Sequence, residues 1–289
     1  MARKGVANVV IMEYTLKTRI QIIQSGVKNP ILRWRRVFWQ LQNERKYRHA
    51  IEMASGFEAN GTPTFDAYGG LNANRLLYFD TRVNSDQYIS VRALERRLNR
   101  MVSGERPLHL MFSGRLIEMK GALDLIELAL ELRRRAVRYH LTICGDGPLA
   151  PLMHARIQEH ELSDHVTMRG VLRFADELLP FAQDEVDLFV ACHKQGDPSC
   201  TYLETFSCGI PIAGYLNEAF EGILRRTAAG WGVPMHDIGA LAACVAVLER
   251  HRNEVAERSH AALRFAVGHS FEETFSRRVD FFRRTASTA

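Results

Sequence analysis

Two basic residues, Arg115 and Lys120, stand in the run Phe112-Ser113-Gly114-Arg115-Leu116-Ile117-Glu118-Met119-Lys120-Gly121, directly after an apolar stretch. An arginine offers a planar fork of donors and a lysine a compact point charge, a division of labour suited to the oxygens of a diphosphate. The same pair could equally be solvated surface. A second cluster, Cys144-Gly145-Asp146-Gly147-Pro148-Leu149-Ala150, fits the looser dinucleotide fingerprint of Gly, Gly and then Ala. Against that reading, the strand before it is the second of its series, whereas the fingerprint belongs on the first. Pro148 also suits a first helical turn, so the glycines could simply make a tight strand-to-helix connection.

The third cluster is Gly196-Asp197-Pro198-Ser199-Cys200-Thr201-Tyr202-Leu203-Glu204, followed by Thr205-Phe206-Ser207-Cys208-Gly209-Ile210-Pro211-Ile212. A polar loop that leaves a strand and enters a helix points backbone amides at whatever lies beyond the strand ends, and a diphosphate is a natural occupant. Glu204, one turn inside that helix, could accept hydrogen bonds from ribose hydroxyls. Thr201 and Glu204 also have the spacing of a capping box, in which the glutamate only returns to the helix start.

Positioning these clusters requires strand ends that open on one side. From Leu108 onward, apolar strand-like runs alternate with amphipathic helical runs, which argues for an α/β fold with a parallel sheet flanked by helices. The strands expected are Leu108–Phe112, Tyr139–Cys144, Val166–Met168, Asp187–Ala191 and Ile210–Ala213. The helices expected between and after them are Leu123–Leu132, Leu149–His160, Asp176–Ala182, Tyr202–Ser207, Leu241–Glu249 and Phe271–Arg284. Residues 1–104 offer three strands, Val9–Met12, Gly56–Ala59 and Leu76–Phe79, too few for a complete doubly wound domain. Asn60-Gly61-Thr62-Pro63 signals a turn, and Ser103-Gly104-Glu105-Arg106-Pro107 reads as a linker. The expected division is therefore 1–104 and 105–289.

Composition narrows the class. A chain of 289 residues with charged residues at 25% and mixed in sign reads as a folded, soluble protein, with neither a membrane span nor a leader signal in the sequence, and is expected in the cytoplasm. Five cysteines without a CxxC pair suggest neither a disulfide framework nor a structural zinc site. The eleven histidines show no clear ligand spacing, so no metal is expected and they read as surface or satisfied core residues. Charge is concentrated between Thr15 and Ala50, where nine basic residues face one acid, Glu44. Ile31-Leu32-Arg33-Trp34-Arg35-Arg36-Val37-Phe38-Trp39 interleaves aromatic and basic groups there. It could be a solvated helix face or lie on an anionic membrane; with no nucleic-acid motif beside it, nucleic acid is not expected as a partner.

Taken together, the clusters resemble the donor domain of family 4 retaining glycosyltransferases of the GT-B fold. The resemblance rests on Gly114-Arg115 with Lys120-Gly121, on Gly145-Asp146-Gly147-Pro148-Leu149, on the strand ending in Gly170, and on Glu204 before Ser207-Cys208-Gly209-Ile210-Pro211-Ile212, in matching order and spacing. It implies a Rossmann-like doubly wound parallel sheet in the C-terminal domain beside an incomplete N-terminal α/β domain. It further implies that Arg115 and Lys120 hold the donor diphosphate and Glu204 the ribose. Gly114 and Gly145 would line the donor site, the turn at Val171-Leu172 would meet the base, and the amides of Ser199, Cys200 and Thr201 would complete the phosphate cradle. The family usually shows two glutamates seven residues apart, and the first falls here on Gly196, with Asp197 beside it as the available replacement.

By the same resemblance the activity is transfer of a sugar from a nucleotide sugar to a glycan, lipid or small acceptor with retention and no cofactor, the leaving diphosphate helping to deprotonate the acceptor. The stretch from Glu44 to Asp80 resembles only the closing part of the acceptor-side domain. Two alternatives remain open: a donor-binding module without turnover, served by a protein partner that supplies the acceptor side, and a related nucleotide-sugar epimerase. The last helix, from Phe271, would cross back to cover the first domain.

Overall fold

The computed structural model describes residues 6–287. In chain order the first part contains β1 (Val9–Met12), α1 (Leu16–Gly26), α2 (Pro30–Glu52), β2 (Gly56–Asn60), α3 (Gly61–Tyr68) and β3 (Arg75–Tyr78). There follow α4 (Val91–Val102), β4 (Leu108–Ser113), α5 (Ala122–Arg134), β5 (Tyr139–Cys144), α6 (Ala150–Glu159), β6 (Val166–Gly170), α7 (Leu179–Glu185) and β7 (Leu188–Ala191). The chain continues with α8 (Thr201–Ser207), β8 (Ile212–Tyr215), α9 (Glu218–Leu224), β9 (Gly230–Val233), α10 (Ile238–Arg250), α11 (Arg252–Val267) and α12 (Phe271–Ser287).

These elements form two compact units. The larger comprises Val83–Lys194 and Thr201–Gly268 and holds a six-stranded, all-parallel sheet in the order β6-β5-β4-β7-β8-β9. Counted within the unit that is 3-2-1-4-5-6, the doubly wound order. The strands β7 (Leu-Phe-Val-Ala) and β8 (Ile-Ala-Gly-Tyr) are buried at every residue, because helices cover both faces of a parallel sheet. At the edge, β6 is buried only at Val166. The covering helices are amphipathic: α5 buries Ala122, Leu125, Ile126, Leu128, Ala129 and Leu132, spaced at three and four residues. Of the elements that escaped the sequence reading, two bear on how the larger unit is assembled. One is β9, Gly-Trp-Gly-Val, where a side chain at Gly230 would meet the Ile212 carbonyl at 2.2 Å, so glycine is required for the strand to approach β8.

The other is α4, and it corrects the expected boundary at 104/105. Leu94, Leu98 and Met101 form a buried stripe along it, and Arg97, 1% exposed, sits in the same stripe. Its guanidinium donates to the carbonyls of Ala182, Gln183, Cys208 and Gly209 at 2.6–3.2 Å, closing the ends of α7 and α8. Burial lowers its pKa to about 10, and the charge is retained at neutral pH. The helix therefore belongs to the larger unit, and Ser103–Pro107 is a turn inside that unit.

The smaller unit joins the residues up to Arg82 to Gln195–Cys200 and to the residues from His269 on. Its parallel sheet has the order β1-β2-β3 and packs Phe57, Ala59, Ile51 and Tyr68 into a small core. The final helix belongs here, as the resemblance implies. Glu58, fully buried in the middle of β2, is met by Arg278 of α12 at 2.9 Å, and Phe281 packs on Gly56. Burial raises the pKa of Glu58 and the arginine opposes that rise. Arg278→Ala would leave a buried carboxylate without its counter-charge, and should lower stability by about 3 kcal/mol in urea unfolding. Restoring neutrality in the pair E58Q/R278M should recover most of that loss.

Candidate functional site

In an open doubly wound sheet the connections leave the two central strands toward opposite faces, which opens a crevice at the carboxyl ends of those strands. Here the strands are β4 and β7, and the loops that end them are Gly114–Gly121 and the residues after Ala191. These loops lie in backbone contact. Lys194 N donates to Met119 O at 2.9 Å, and a side chain on Gly121, at φ +68°, would meet the Cys192 carbonyl at 2.1 Å. Lys120 is held at this junction, 7% exposed, while Arg115 stays exposed to solvent.

On the other side of β4, the loop after β5 is knitted to the same segment. Gly114 N donates to Cys144 O at 3.0 Å, Leu116 N to Asp146 O at 2.9 Å, and Leu149 N to Leu116 O at 3.2 Å. Gly145 N reaches Gly170 O at the end of β6 at 2.6 Å. A side chain on Gly145, at φ +133°, would lie 2.0 Å from the Gly114 carbonyl. The glycines of the second cluster thus serve backbone packing, and Asp146 turns its carboxylate onto the neighbouring Gly147 amide at 2.7 Å. This is a tight strand-to-helix connection.

Beyond β6 the chain carries Val171, which is 73% exposed, and half-buried Leu172 into a π-helical turn at Phe174–Leu178. Ser113, Phe174, Thr201 and Glu204 line one narrow crevice of the larger unit. Of the expected site residues, the fold therefore gathers Gly114, Gly145, Lys120, Thr201 and Glu204 at the carboxyl end of one sheet, with Arg115, Val171 and Leu172 on its rim. Asp197, Ser199 and Cys200 fall in the segment that belongs to the smaller unit, where Ser199 N donates to Asp197 O at 2.8 Å and Cys200 Sγ lies 3.9 Å from Asp80.

Three groups at the switch point were not singled out in the sequence. His193, directly after the apolar run of β7, is 1% exposed, and among the described residues neither ring nitrogen has a hydrogen-bond partner. Burial drives its pKa well below the ordinary histidine value, and the charge of Lys120 drives it the same way. It is a core histidine but not a satisfied one; Phe112 and Tyr202 pack on its ring. Asp124, in the first turn of α5, accepts from Lys194 Nζ at 2.8 Å and from Tyr215 Oη, at the end of β8, at 2.9 Å. Asn217 caps α9 through Ala219 N and Phe220 N while donating to the His193 carbonyl at 3.2 Å. Together these bonds fix the ends of β7 and β8 against the start of α5. Only the fold could reveal them, because the partners are 24 to 91 residues apart.

The family model for glycosyl transferases group 1 matches residues 95–264, more than half of the chain. The chain belongs to the glycosyl transferases group 1 family. Among curated relatives, it is 25% identical over 173 residues to a putative colanic acid biosynthesis glycosyltransferase, WcaL, of Salmonella typhimurium, covering 58% of this chain and 42% of that protein. It is 26% identical over 176 residues to 2-deoxystreptamine N-acetyl-D-glucosaminyltransferase of Streptomyces fradiae, covering 59% and 40%. The chain thus spans well under half the length of these curated relatives.

Solved structures of the same fold include sucrose-phosphate synthase of Thermosynechococcus elongatus, with TM-score 0.70, 16% identity, and coverage of 97% of this chain and 68% of that one. Another is HepE of Anabaena in complex with UDP, with TM-score 0.67, 15% identity, and coverage of 98% and 72%. The fold of this group 1 chain is α/β of the GT-B type. Gly145→Ala tests the glycine contact beneath the site: overpacking and backbone strain should together lower the stability of the larger unit by about 3 kcal/mol, read as a shifted urea midpoint.

Proposed function

We propose that this chain binds a nucleotide sugar at the β4/β7 switch point and transfers the sugar, with retention of configuration, to a glycan, lipid or small acceptor, as a family 4 glycosyltransferase. The observation that carries the reading is a nearly buried lysine, Lys120, held at the crevice of a group 1 sheet by a loop that only glycine at 121 allows. A diphosphate would meet that charge in a setting shielded from water, where it acts more strongly than in bulk solvent. Arg115 supplies a second, solvent-facing charge at the rim.

In this reading Glu204 takes the ribose hydroxyls, and the rim at Val171 and Leu172 takes the base. The successive amides of Ser199, Cys200 and Thr201 receive the phosphates, and Gly114 and Gly145 line the donor site. Asp197 offers its carboxylate to the donor sugar in place of the family's glutamate at position 196. When the bond to the anomeric carbon breaks, negative charge grows on the leaving diphosphate, and fixed positive groups stabilise it without reorganising. The neutral His193 adds no charge of its own beside Lys120, so the lysine remains the source of the local field. Work at the cytoplasmic face of a membrane, without an added cofactor, completes the proposal.

A second reading is a donor-binding module whose partner supplies the acceptor side. Calorimetric titration with UDP, GDP and ADP, followed by the matching nucleotide sugars scored for turnover, separates the two: binding with turnover supports the transferase, and binding alone the module. Lys120→Ala should weaken nucleotide diphosphate binding by about 1.5–3 kcal/mol, roughly 10- to 150-fold in affinity. Unchanged affinity in the folded variant would place the phosphates elsewhere. Glu204→Gln should lower nucleoside affinity while leaving the melting temperature in place, since glutamine keeps any capping role.

A further inference from the structure

The helix α2 presents to solvent a stripe that a freely solvated helix has no use for. Ile31, Trp34, Phe38 and Leu41 recur at intervals of three and four residues, which places them on one face over about 15 Å of helix. They are 73%, 66%, 47% and 49% exposed, and the rings of Trp34 and Phe38 stack at 5.6 Å. Trp39, 53% exposed, and Leu32 widen the stripe. Contiguous apolar surface of this kind marks a place where something else docks.

Charge identifies the occupant. Lys28, Arg33, Arg35, Arg36, Arg45 and Lys46 are all exposed around the stripe. Of the two acids of the hairpin, Glu44 is withdrawn from the surface, paired with Arg19 and within 3.3 Å of the Tyr68 hydroxyl, and Glu52 is exposed only at the far end of α2, beside His49. Around the stripe, from Lys28 to Lys46, the outward surface is therefore positive without compensation, and the tip is exposed all round from Pro30 to Arg36. Between the two helices, Ile23, Leu32 and Trp39 floor an open groove of about 550 Å³ rimmed by Arg35 and Arg36. An apolar floor beneath two guanidinium groups suits a lipid whose phosphate stays at the rim. Tryptophan and arginine side by side are also the residues that settle at the boundary between headgroups and acyl chains.

We infer that the α2 face docks on an anionic lipid bilayer, with Trp34, Phe38 and Trp39 entering the interface and the arginines and lysines meeting lipid phosphates. This inference stands independently of the donor site. The full chain, mixed with phosphatidylcholine vesicles with and without phosphatidylglycerol, tests it by flotation. The anionic vesicles should capture about tenfold more protein or better, given what each basic side chain near such a surface contributes, and added salt should release it. Tryptophan emission should shift to the blue and be quenched by brominated acyl chains. The R33Q/R35Q/R36Q variant should fall to the level seen with neutral vesicles, and W34S/F38S should lose capture altogether while keeping the parent circular dichroism. Equal partition into both vesicle types, or none, overturns the proposal. So does a dimer in vesicle-free sedimentation equilibrium that W34S/F38S dissociates, because the stripe would then be an interface between protein chains.

Discussion

The site depends on how closely the backbone at the end of β4 is pressed by its neighbours. On one side the Cys192 carbonyl lies where a side chain at Gly121 would be; on the other the Gly114 carbonyl lies where a side chain at Gly145 would be. Both glycines also occupy positive φ, so neither space nor backbone conformation admits another residue. This closeness brings the ends of β4, β5, β6 and β7 into one hydrogen-bonded rim, and it seats Lys120 against the loop after β7. A lysine carried on a looser loop would be hydrated, and its charge would be correspondingly weaker at short range.

Around that rim, polar side chains fasten elements whose sequence positions are far apart. Arg97 ties α4 to the ends of α7 and α8 through four carbonyls, and Asp124 joins α5 to the end of β8 and to Lys194. Buried charges of this sort cost desolvation, which their hydrogen bonds offset; the two terminal nitrogens of Arg97 find acceptors, and its Nε has none among the described residues. His193 departs from that pattern. Its ring is buried at the switch point without a partner for either nitrogen among the described residues, which costs stability in the structure as it stands. Natural proteins concentrate such unfavourable groups near functional sites, and the place of His193 beside Lys120 fits that tendency.

The smaller unit shows the same economy with fewer strands. A fully buried glutamate in β2 is matched by an arginine from a helix 220 residues later in the chain, and that arginine also lies over the ring of Tyr78 at 4.0 Å. The closing helix is thus bound by charge as well as by Phe281. Of the arginines of α12 only Arg278 turns inward, whereas Arg33, Arg35, Arg36 and Arg45 of α2 are exposed.

The amino-acid sequence by itself determined the class of the fold and which loops open at the ends of its strands. Strong apolar runs such as Leu108–Phe112 and Tyr139–Cys144 have one stable use, as buried parallel strands, and glycine or proline beside them marks where loops must open. Hence most strands of the larger sheet, and the loops that carry Arg115, Lys120 and Glu204, were legible within a residue or two. Tertiary structure decided the rest. It assigned α4 to the larger unit because Arg97, which reads as a surface charge, finds its acceptors in α7 and α8. It made a strand of Gly-Trp-Gly-Val because only contact with β8 favours that conformation. It pressed Gly145 of the second cluster against the Gly114 carbonyl, and it buried His193. Each of these depends on groups distant in sequence, whose interaction energies no local pattern records.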